Sequence, residues 1–382
     1  MNTLSIREKE CLYFLINNDL IGNQTIRKLK SYFETYENVY NADEKELKPL
    51  LTEAAFERFV LEKNRRNIHA DFQKFELKNI SFIPYEDSLF PQKLREIPDS
   101  PVALLINGSL PDSHIPSVAI IGARGCTNYG SHEANEYATA IAEQGIQVIS
   151  GMATGIDGIA GSASLRAGGR SFAVLGCGPD VCYPMSNQYL FDSLKEKGGI
   201  ISEYALGTPG LKWHFPVRNR IISGLCDALL VIEAKEKSGT LITVDCALEQ
   251  GRDVYALPGR TCDALSIGCN NLIRQGAGML TTPEDFLTDF LDSISANDEY
   301  YDFFNKNSTL SSINGNKKIV FSSSEEKTIY EILDYNPQSL DEIAFKLSST
   351  IDMSLPELMH HLTNMCIMGI IETISGTNYR KL

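Results

Sequence analysis

The sequence predicts an α/β protein in which a doubly wound sheet lies between a helical N-terminal domain and a C-terminal domain of helices and a hairpin. From Ile115 onward, short apolar strands that end in glycine turns alternate with helical stretches. Apolar residues recur at helical spacing before residue 75 and again after Ser324. Strands that alternate with helices are typical of parallel βαβ units.

The composition is that of an ordinary globular protein with one large domain and one or two small ones. The chain has 382 residues, 43% of them hydrophobic, so each domain can bury a core. No apolar run approaches the roughly 18 residues that span a bilayer, and MNTLSIREKE lacks a basic segment followed by a hydrophobic stretch. We therefore expect a cytoplasmic protein that does not associate with membranes.

The cysteines argue against a disulfide framework and against a zinc knuckle. All nine are scattered, and none is spaced as Cys-x-x-Cys. Cys177 and Cys182 are close in sequence, but no histidine stands at ligand spacing from them. We expect reduced thiols, no metal site and no cofactor.

Residues 1–75 are predicted to form a small helical domain. Helical spacing is clear in CLYFLINNDL and LTEAAFERFVLEKN, with a turn near Gly22. The segment IGNQTIRKLKSYF opens with that turn and continues as a basic helix, the layout of a SAM-like or helix-hairpin-helix module that can touch a DNA backbone. We favour a packing or partner-binding module over direct DNA contact.

Residues 76–290 are predicted to form a Rossmann-like domain. Its strand candidates are SVAIIG, QVIS, SFAVLG, GIIS, ALLVIE and DVYALPG. Strands in this arrangement form a doubly wound sheet, whose ligands bind beyond the carboxyl ends of the strands. The loops that follow the strands should therefore carry the function.

Two segments follow the predicted sheet. Residues 291–323 are rich in Asn and Ser without sustained periodicity and are predicted to be a linker. Residues 324–382 show three helices, EEKTIYEILDY, SLDEIAFKL and LPELMHHLTNMCIMG, and then IIETISGTNYRKL as a hairpin, the pattern of a winged-helix domain. Because Lys346 is the only Lys or Arg in its second and third helices, we expect this domain to contact protein rather than read duplex DNA.

The formal net charge of −14 restricts the nucleic-acid partners that the chain can have. The acidic excess is greatest towards the C-terminal end. Such a balance excludes broad, non-specific wrapping of duplex DNA, but it allows a local basic pocket that engages a few phosphates.

The first candidate site is GARGCTNYG at residues 122–130, between the strand SVAII and a predicted helix. Gly122 lets backbone N–H groups and the helix N-terminus approach an anion, and Arg124 supplies a charge that pairs with it. The dinucleotide fingerprint GxGxxG would need a glycine at 124, so NAD binding is not expected. A tight strand-to-helix turn with a solvated arginine is the structural alternative.

Two more glycine turns follow predicted strands. SGMATGIDGIA at 150–160 contains Gly151 and Asp157, and this carboxylate either caps its helix, which we prefer, or binds a ribose or base. GCGPDVCYPMSN at 176–187 contains Tyr183, which either stacks on a base or covers the edge of the sheet.

Cations accompany two further helix starts. FPVRNRIISG at 215–224 joins an aromatic ring to two arginines, a pairing that suits a sugar-phosphate backbone with unstacked bases. KSGT at 237–240 follows a strand and begins a helix. We expect Arg124, Arg218, Arg220 and Lys237 to form one cationic ring at the carboxyl edge of the sheet. The predicted DNA-binding residues are Gly122, Arg124, Gly151, Phe215, Arg218, Asn219, Arg220, Lys237, Ser238, Gly239 and Thr240.

Together these motifs resemble the DNA-processing protein A family, also called DprA or Smf. The matching runs, in order, are GARGCTNYG, SGMATGIDGIA, LGCGPDVCYP, ISEYALGTPG, FPVRNRIISGL, VIEAKEKSGTLIT, ALPG and GCNNLIRQGA. A series of this length in one order is highly specific, and the resemblance spans nearly the whole chain.

The resemblance implies a homodimer that binds single-stranded DNA without sequence preference and protects it. It also implies that the protein loads a RecA-type recombinase onto the strand during natural transformation and DNA recombination. By motif match, the phosphate contacts are Arg124, Arg218 and Lys237, and the loop positions that admit the DNA backbone are Gly122, Gly151, Ser238 and Gly239. Gln188 stands where some relatives have a basic residue, so no contact carries over there.

An enzyme is the main alternative, because related Rossmann-like proteins include phosphoribohydrolases that cleave nucleotide monophosphates with a PGGxGTxxE loop. The corresponding run, EKSGTLITV, lacks the paired glycines, and Thr243 stands where the catalytic glutamate would be. A nucleotide-sensing module is a third interpretation, since the pocket chemistry also suits a free nucleotide. We expect a DNA-binding protein that is not an enzyme.

Overall fold

The computed structural model describes residues 4–295, 300, 303, 323–334, 337–348, 351, 353–368, 370–374 and 378–381. Most of the predicted linker at 291–323 lies outside these residues. The chain divides into two units. One contains the N-terminal helices and the central sheet, and the other comprises residues 126–133 and the C-terminal residues.

The N-terminal region is helical because apolar residues recur at helical spacing and polar side chains cap several helix starts. Ser5, Thr35 and Thr52 each accept a hydrogen bond from a backbone N–H in the first turn of the helix that follows. Within residues 4–79, all of which are described, the helices are α1 (Ile6–Ile16), α2 (Asn23–Phe33), α3 (Tyr36–Asn41), α4 (Glu44–Leu47), α5 (Glu53–Arg65) and α6 (Ile68–Leu77).

Nine strands form the central sheet in the described part of the chain. They are β1 (Ile80–Pro84), β2 (Ala103–Gly108), β3 (Ser117–Ile121), β4 (Gln147–Ser150), β5 (Ser171–Leu175), β6 (Gly198–Ser202), β7 (Ala228–Val231), β8 (Asp253–Ala256) and β9 (Gly278–Met279). Their spatial order is β1-β2-β6-β5-β4-β3-β7-β8-β9. Neighbours from β6 through β9 are parallel, whereas β2 pairs antiparallel with both β1 and β6.

Helices connect the parallel strands, which confirms the predicted Rossmann-like α/β fold. The connecting helices are α8 (Asn128–Glu143), α9 (Ile156–Arg166), α10 (Gln188–Lys197), α11 (His214–Leu225), α12 (Gly239–Glu249) and α13 (Ile267–Arg274). In addition, α7 (Gln92–Arg95) lies between β1 and β2, and α14 (Pro283–Ile294) follows β9. The six predicted strands are β3 to β8, and the structure adds β1, β2 and β9. Because β4 and β7 lie on opposite sides of β3, the strand order reverses there and opens a crevice at the carboxyl ends.

One hydrophobic core joins the N-terminal helices to the antiparallel edge of the sheet. Phe82 of β1 is buried, and its ring lies 5.9 Å from that of Tyr13 in α1 and 5.6 Å from that of Phe75 in α6. Val102 and Leu105 belong to the same buried cluster. The helical region is therefore built onto β1 and β2 and holds them in place.

The second unit has a small core of its own. It contains α15 (Ser324–Ile332), α16 (Leu340–Leu347), α17 (Leu355–Ile367), β10 (Gln338–Ser339), β11 (Ile371–Ile374) and β12 (Asn378–Lys381). The strands pair antiparallel in the order β10-β12-β11. Ser339 starts α16 with a capping box that it forms with Glu342, and Ile343, Leu362 and Tyr379 are among the buried apolar residues.

The shared core makes a prediction about stability. Phe82→Ala should lower the free energy of unfolding by about 3–5 kcal/mol, because a buried ring is lost and a cavity remains. A urea titration followed by far-ultraviolet circular dichroism measures the change. Leu77→Ala removes a side chain that is 85% exposed and should change the same quantity by no more than about 0.5 kcal/mol. Equal midpoints for both variants would show that the helices do not share a core with β1.

Candidate nucleic-acid interface

A cleft of about 460 Å³ opens at the carboxyl edge of the sheet, between the loops that follow β3, β4 and β7 and the first turns of α11. This is the point where the strand order reverses, the usual ligand position in doubly wound sheets. Eight of the predicted site residues line the cleft, namely Gly122, Arg124, Phe215, Arg218, Asn219, Ser238, Gly239 and Thr240.

The turn after β3 presents Arg124 to the cleft. A Cβ atom at Gly122 would lie 2.7 Å from Cγ1 of Ile156 in α9, so only glycine lets the turn pack against that helix. Arg124 is exposed, and its guanidinium carbon lies 5.4 Å from the centre of the Phe215 ring. The arrangement holds a solvent-accessible cation over an aromatic face.

The aromatic wall of the cleft contains two rings. Tyr183 stacks on Phe215 with a centroid separation of 5.3 Å and an interplanar angle of 28°. In the structure Tyr183 neither lies alone nor simply covers the sheet edge. It stacks on another ring, and both rings line the cleft. The pair offers an apolar surface beside the guanidinium of Arg124, which is the chemistry that holds an unpaired base and its phosphate.

Arg218 lines the cleft from within the protein. Its side chain is only 4% exposed, and Nη1 donates to the carbonyl oxygen of Gly151 at 3.0 Å and also to that of Val174. Burial lowers the pKa of Arg218 to about 10, so the group stays charged at neutral pH. Because Nη1 already donates to two backbone carbonyl oxygens, fewer N–H donors of Arg218 are left to bind a phosphate.

Asp157 provides the opposing buried charge. Its Oδ2 accepts the backbone N–H of Gly151 at 2.9 Å. Burial raises the pKa of Asp157, and the charge of Arg218 and backbone hydrogen bonds oppose that rise. The preferred interpretation, that Asp157 caps its helix, is wrong, because Gly155 is the N-cap residue of α9.

Gly151 separates these two charges. A Cβ atom at this position would lie 2.6 Å from Nη2 of Arg218 and 2.7 Å from Oδ2 of Asp157. The glycine is thus needed for the approach of two side chains of the protein itself, and it does not line the cleft. This local role differs from the predicted role of admitting a DNA backbone.

The start of α12 forms the remaining wall. Ser238 caps the helix by accepting the N–H of Thr240 at 3.2 Å, and the hydroxyl of Thr240 donates to the carbonyl oxygen of Gly122 at 3.4 Å. Gly239 is exposed between them, with open space where a side chain would be. A helix N-terminus carries partial positive charge, so this wall favours an anion.

Arg220 does not belong to the predicted cationic ring. It is buried and forms a bidentate ion pair with Glu203, with Nη1···Oε1 at 2.8 Å and Nη2···Oε2 at 2.7 Å. Its Nε donates to the carbonyl oxygen of Asp99 at 2.9 Å. Residues two apart on a helix point about 200° apart, so Arg218 and Arg220 cannot both face one cleft.

The structure places Lys212 in the cleft, whereas the predicted contact Lys237 lies outside its lining. Lys237 is exposed directly before Ser238, but it lies outside the lining of the cleft. Lys212 lines the cleft and is exposed, and the prediction missed it. A lysine three residues before Phe215 in a glycine- and proline-containing loop was the signal that could have identified it.

Comparison of the sequence with known proteins shows which family the chain belongs to. A sequence profile of the DNA recombination-mediator protein A family matches residues 81–291. The DNA processing protein DprA of Streptococcus pneumoniae is 38% identical over 271 residues, which cover 71% of this chain and 94% of that protein. The chain belongs to this family. Protein Smf of Synechocystis is 31% identical over an alignment that covers 94% of this chain and 96% of the relative.

Solved structures of family members match the fold. The X-ray structure of DNA processing protein A from Streptococcus pneumoniae superposes with a TM-score of 0.65 at 36% identity and covers 75% of this chain and 99% of that one. DNA processing protein A from Helicobacter pylori, whose structure was described for its single-stranded DNA binding mode, gives a TM-score of 0.51 at 27% identity. That match covers 56% of this chain and 96% of the other.

The described residues show few other sites of chemistry. No helix among them is both long and apolar enough to cross a membrane. Nor do they contain a group of three or more His, Cys, Asp or Glu side chains placed to hold a metal ion. Burial raises the pKa of Cys177, Cys226 and Cys269 to about 12. These three thiols are protonated and inert at neutral pH.

The contrast between Arg124 and Arg220 yields a matched test of stability. Arg220→Ala leaves the largely enclosed Glu203 carboxylate without its cation and should cost about 3–5 kcal/mol of unfolding free energy. Arg124→Ala removes an exposed charge and should cost no more than about 0.5 kcal/mol. Urea denaturation of both variants measures the difference. Similar losses for the two would contradict the assignment of Arg220 as a structural residue.

Proposed function

We propose that the cleft binds the backbone of single-stranded DNA. The observation that carries the proposal is the exposed Arg124 guanidinium, which lies over the ring of Phe215 and shares the cleft with the N-terminus of α12. Lys212 adds a second exposed cation. Cations and helix N-termini hold phosphates, while an accessible ring stacks on a base that has no partner strand.

This binding is independent of sequence. Phosphate contacts position a strand without reading it, and aromatic stacking tolerates every base. The structure of the Helicobacter pylori relative, described for its single-stranded DNA binding mode, supports the assignment by family membership. Phosphate contacts by Arg124 and Lys212 and through the start of α12 are the core of the proposed site, and Arg218 supplies a buried positive charge behind them.

We further propose that the bound strand is protected and passed to a RecA-type recombinase in natural transformation and DNA recombination. The family description, a DNA recombination mediator, supports this step, as do the DNA processing proteins of Streptococcus pneumoniae and Bacillus subtilis among the relatives. The protein would work in the cytoplasm, where such strands meet the recombinase.

The proposed role requires no catalysis. Among the described residues that line the cleft, Asp157 carries the one carboxylate, and backbone N–H groups and the neighbouring Arg218 charge surround it. A general base needs access to the proton that it abstracts, and a carboxylate that is 6% exposed lacks it. A binding protein therefore accounts for the cleft better than a nucleotide hydrolase.

The flanking regions have proposed roles of their own. We assign residues 1–75 to a SAM-like or helix-hairpin-helix packing module, because in α2 Arg27 donates to the carbonyl oxygen of Ser100 and Lys30 pairs with Glu86. These basic residues are thus turned towards the sheet domain of residues 76–290. We assign residues 324–382, beyond the 291–323 linker, to a winged-helix domain that contacts protein.

A homodimer is proposed through the far edge of the sheet. The edge strand β9 exposes Met279 (54%), and Leu248 (60%) and Ile242 (39%) lie exposed on α12. Leu248 borders the same surface pocket as Gly278. Exposed apolar groups beside an unpaired strand edge mark a surface suited to self-association.

Single-strand binding depends on Arg124. Arg124→Ala should weaken the affinity for oligothymidine roughly ten- to hundredfold, since a charge-assisted contact contributes about 1.5–3 kcal/mol. The slope of log K against log salt should fall in magnitude by about 0.7. Fluorescence anisotropy at several salt concentrations measures both quantities. Arg65→Ala, an exposed arginine on α5, is the control and should bind as the wild type does; the reverse pattern would move the site to the helical module.

The C-terminal domain should be dispensable for binding. Removal of residues 322–382 should leave the affinity for single strands within about tenfold of the intact chain, a difference below about 1.4 kcal/mol. The reason is that the segment is acidic and repels phosphate. A gel-shift titration tests this, and a larger loss would assign the tail to the DNA site.

Self-association is tested by light scattering at micromolar concentration. The intact chain should give twice the protomer mass, and Leu248→Asp should return it to the monomer because a charge is costly in an apolar interface. Leu61→Asp changes an exposed leucine on α5 and is the control, since it should remain dimeric. A monomeric mass for the unmodified chain would exclude the dimer.

A further inference from the structure

Trp213 is an exposed aromatic on an anchored backbone. It is the chain's single tryptophan, it directly precedes α11, and it is 66% exposed. The next residue, His214, is buried, stacks on Tyr204 with a centroid separation of 4.0 Å, and donates from Nδ1 to the carbonyl oxygen of Gly176 at 3.0 Å. The backbone is therefore held firmly while most of the indole surface faces solvent.

The indole borders the cleft without belonging to its lining. Lys212 precedes Trp213 and Phe215 follows it by two residues, and both of these neighbours line the cleft. Two residues of chain span at most about 7 Å, so the indole is attached next to the proposed phosphate and base contacts. Trp213 therefore extends the surface of the proposed binding cleft.

The surroundings of Trp213 suit an anion. No Asp or Glu occurs between residues 204 and 226, although the whole chain has a net charge of −14. The same stretch contains Lys212, Arg218 and Arg220, and of these Lys212 is exposed. A flat apolar ring next to an exposed cation, on a stretch of chain that contains no carboxylate, matches a nucleotide with its base and phosphate.

We propose that Trp213 is a base-stacking subsite outside the cleft, occupied by an unpaired base of the strand whose phosphates lie in the cleft. The inference rests on the proposed single-strand binding and extends it. Both indole and nucleobase present flat π-faces, so stacking requires no particular sequence. Trp213 thereby lengthens the contact with the strand beyond the cleft.

Tryptophan fluorescence tests the subsite directly, because all indole emission comes from position 213. Addition of oligothymidine should quench the emission with the same midpoint as the anisotropy titration. Quenching should disappear at high salt, where the strand dissociates. Unchanged emission at saturating oligothymidine would overturn the proposal. So would an emission change that depends on protein concentration without DNA, because the indole would then contact a second copy of the chain.

Substitutions separate stacking from a structural effect. Trp213→Ala should weaken binding of long oligothymidines about tenfold, and Trp213→Phe should restore most of the affinity because a phenyl ring still stacks. Tyr32→Ala removes an aromatic that is 64% exposed on α2 and should leave affinity unchanged. Circular dichroism confirms that each variant is folded.

The outcomes distinguish this subsite from the proposed function itself. If Trp213→Ala and Tyr32→Ala bind equally well while Arg124→Ala binds weakly, the subsite is wrong and the cleft assignment stands. If Arg124→Ala also binds as the wild type does, the proposed function fails before the subsite is reached.

Discussion

The cleft depends on the buried guanidinium of Arg218. From α11 this group donates to the carbonyl oxygens of Gly151 and Val174 at the ends of β4 and β5, and so fixes the first turns of the helix against the sheet. A buried charge is costly unless another charge or hydrogen bonds compensate it, and Asp157 faces it across the glycine. Phe215, one turn earlier on α11, takes its position from this anchor.

The central sheet could be predicted because buried parallel strands are short apolar runs that end in glycine turns. The antiparallel strands β1 and β2 could not be predicted in the same way. Their segments, ISFIP and the apolar run before Gly108, do not alternate with helices as the parallel strands do. Both strands pack against α1, which is distant from them in sequence. The two residues of β9 are too few to form a pattern.

The site was predictable to the extent that glycine turns and helix starts converge at one edge of a parallel sheet. The sequence could not show which cations face the cleft. That depends on the direction in which each helix turns its side chains and on partners far along the chain. Arg220 points to Glu203, whereas Lys212 reaches the cleft from the far end of the loop between β6 and α11. The structural role of Gly151 could not be predicted either, because Arg218 and Asp157 come close to it only in the folded chain.

The buried Arg218 thus shapes the cleft, and in the proposed binding mode the exposed cations Arg124 and Lys212 contact the strand. A crystal structure of the intact chain with a bound oligothymidine tests this division most directly. We predict a phosphate on Arg124 near the start of α12, a base against Phe215, and unchanged hydrogen bonds from Arg218 to the carbonyl oxygens of Gly151 and Val174. A strand bound along α2 or α5 with the cleft empty would contradict it.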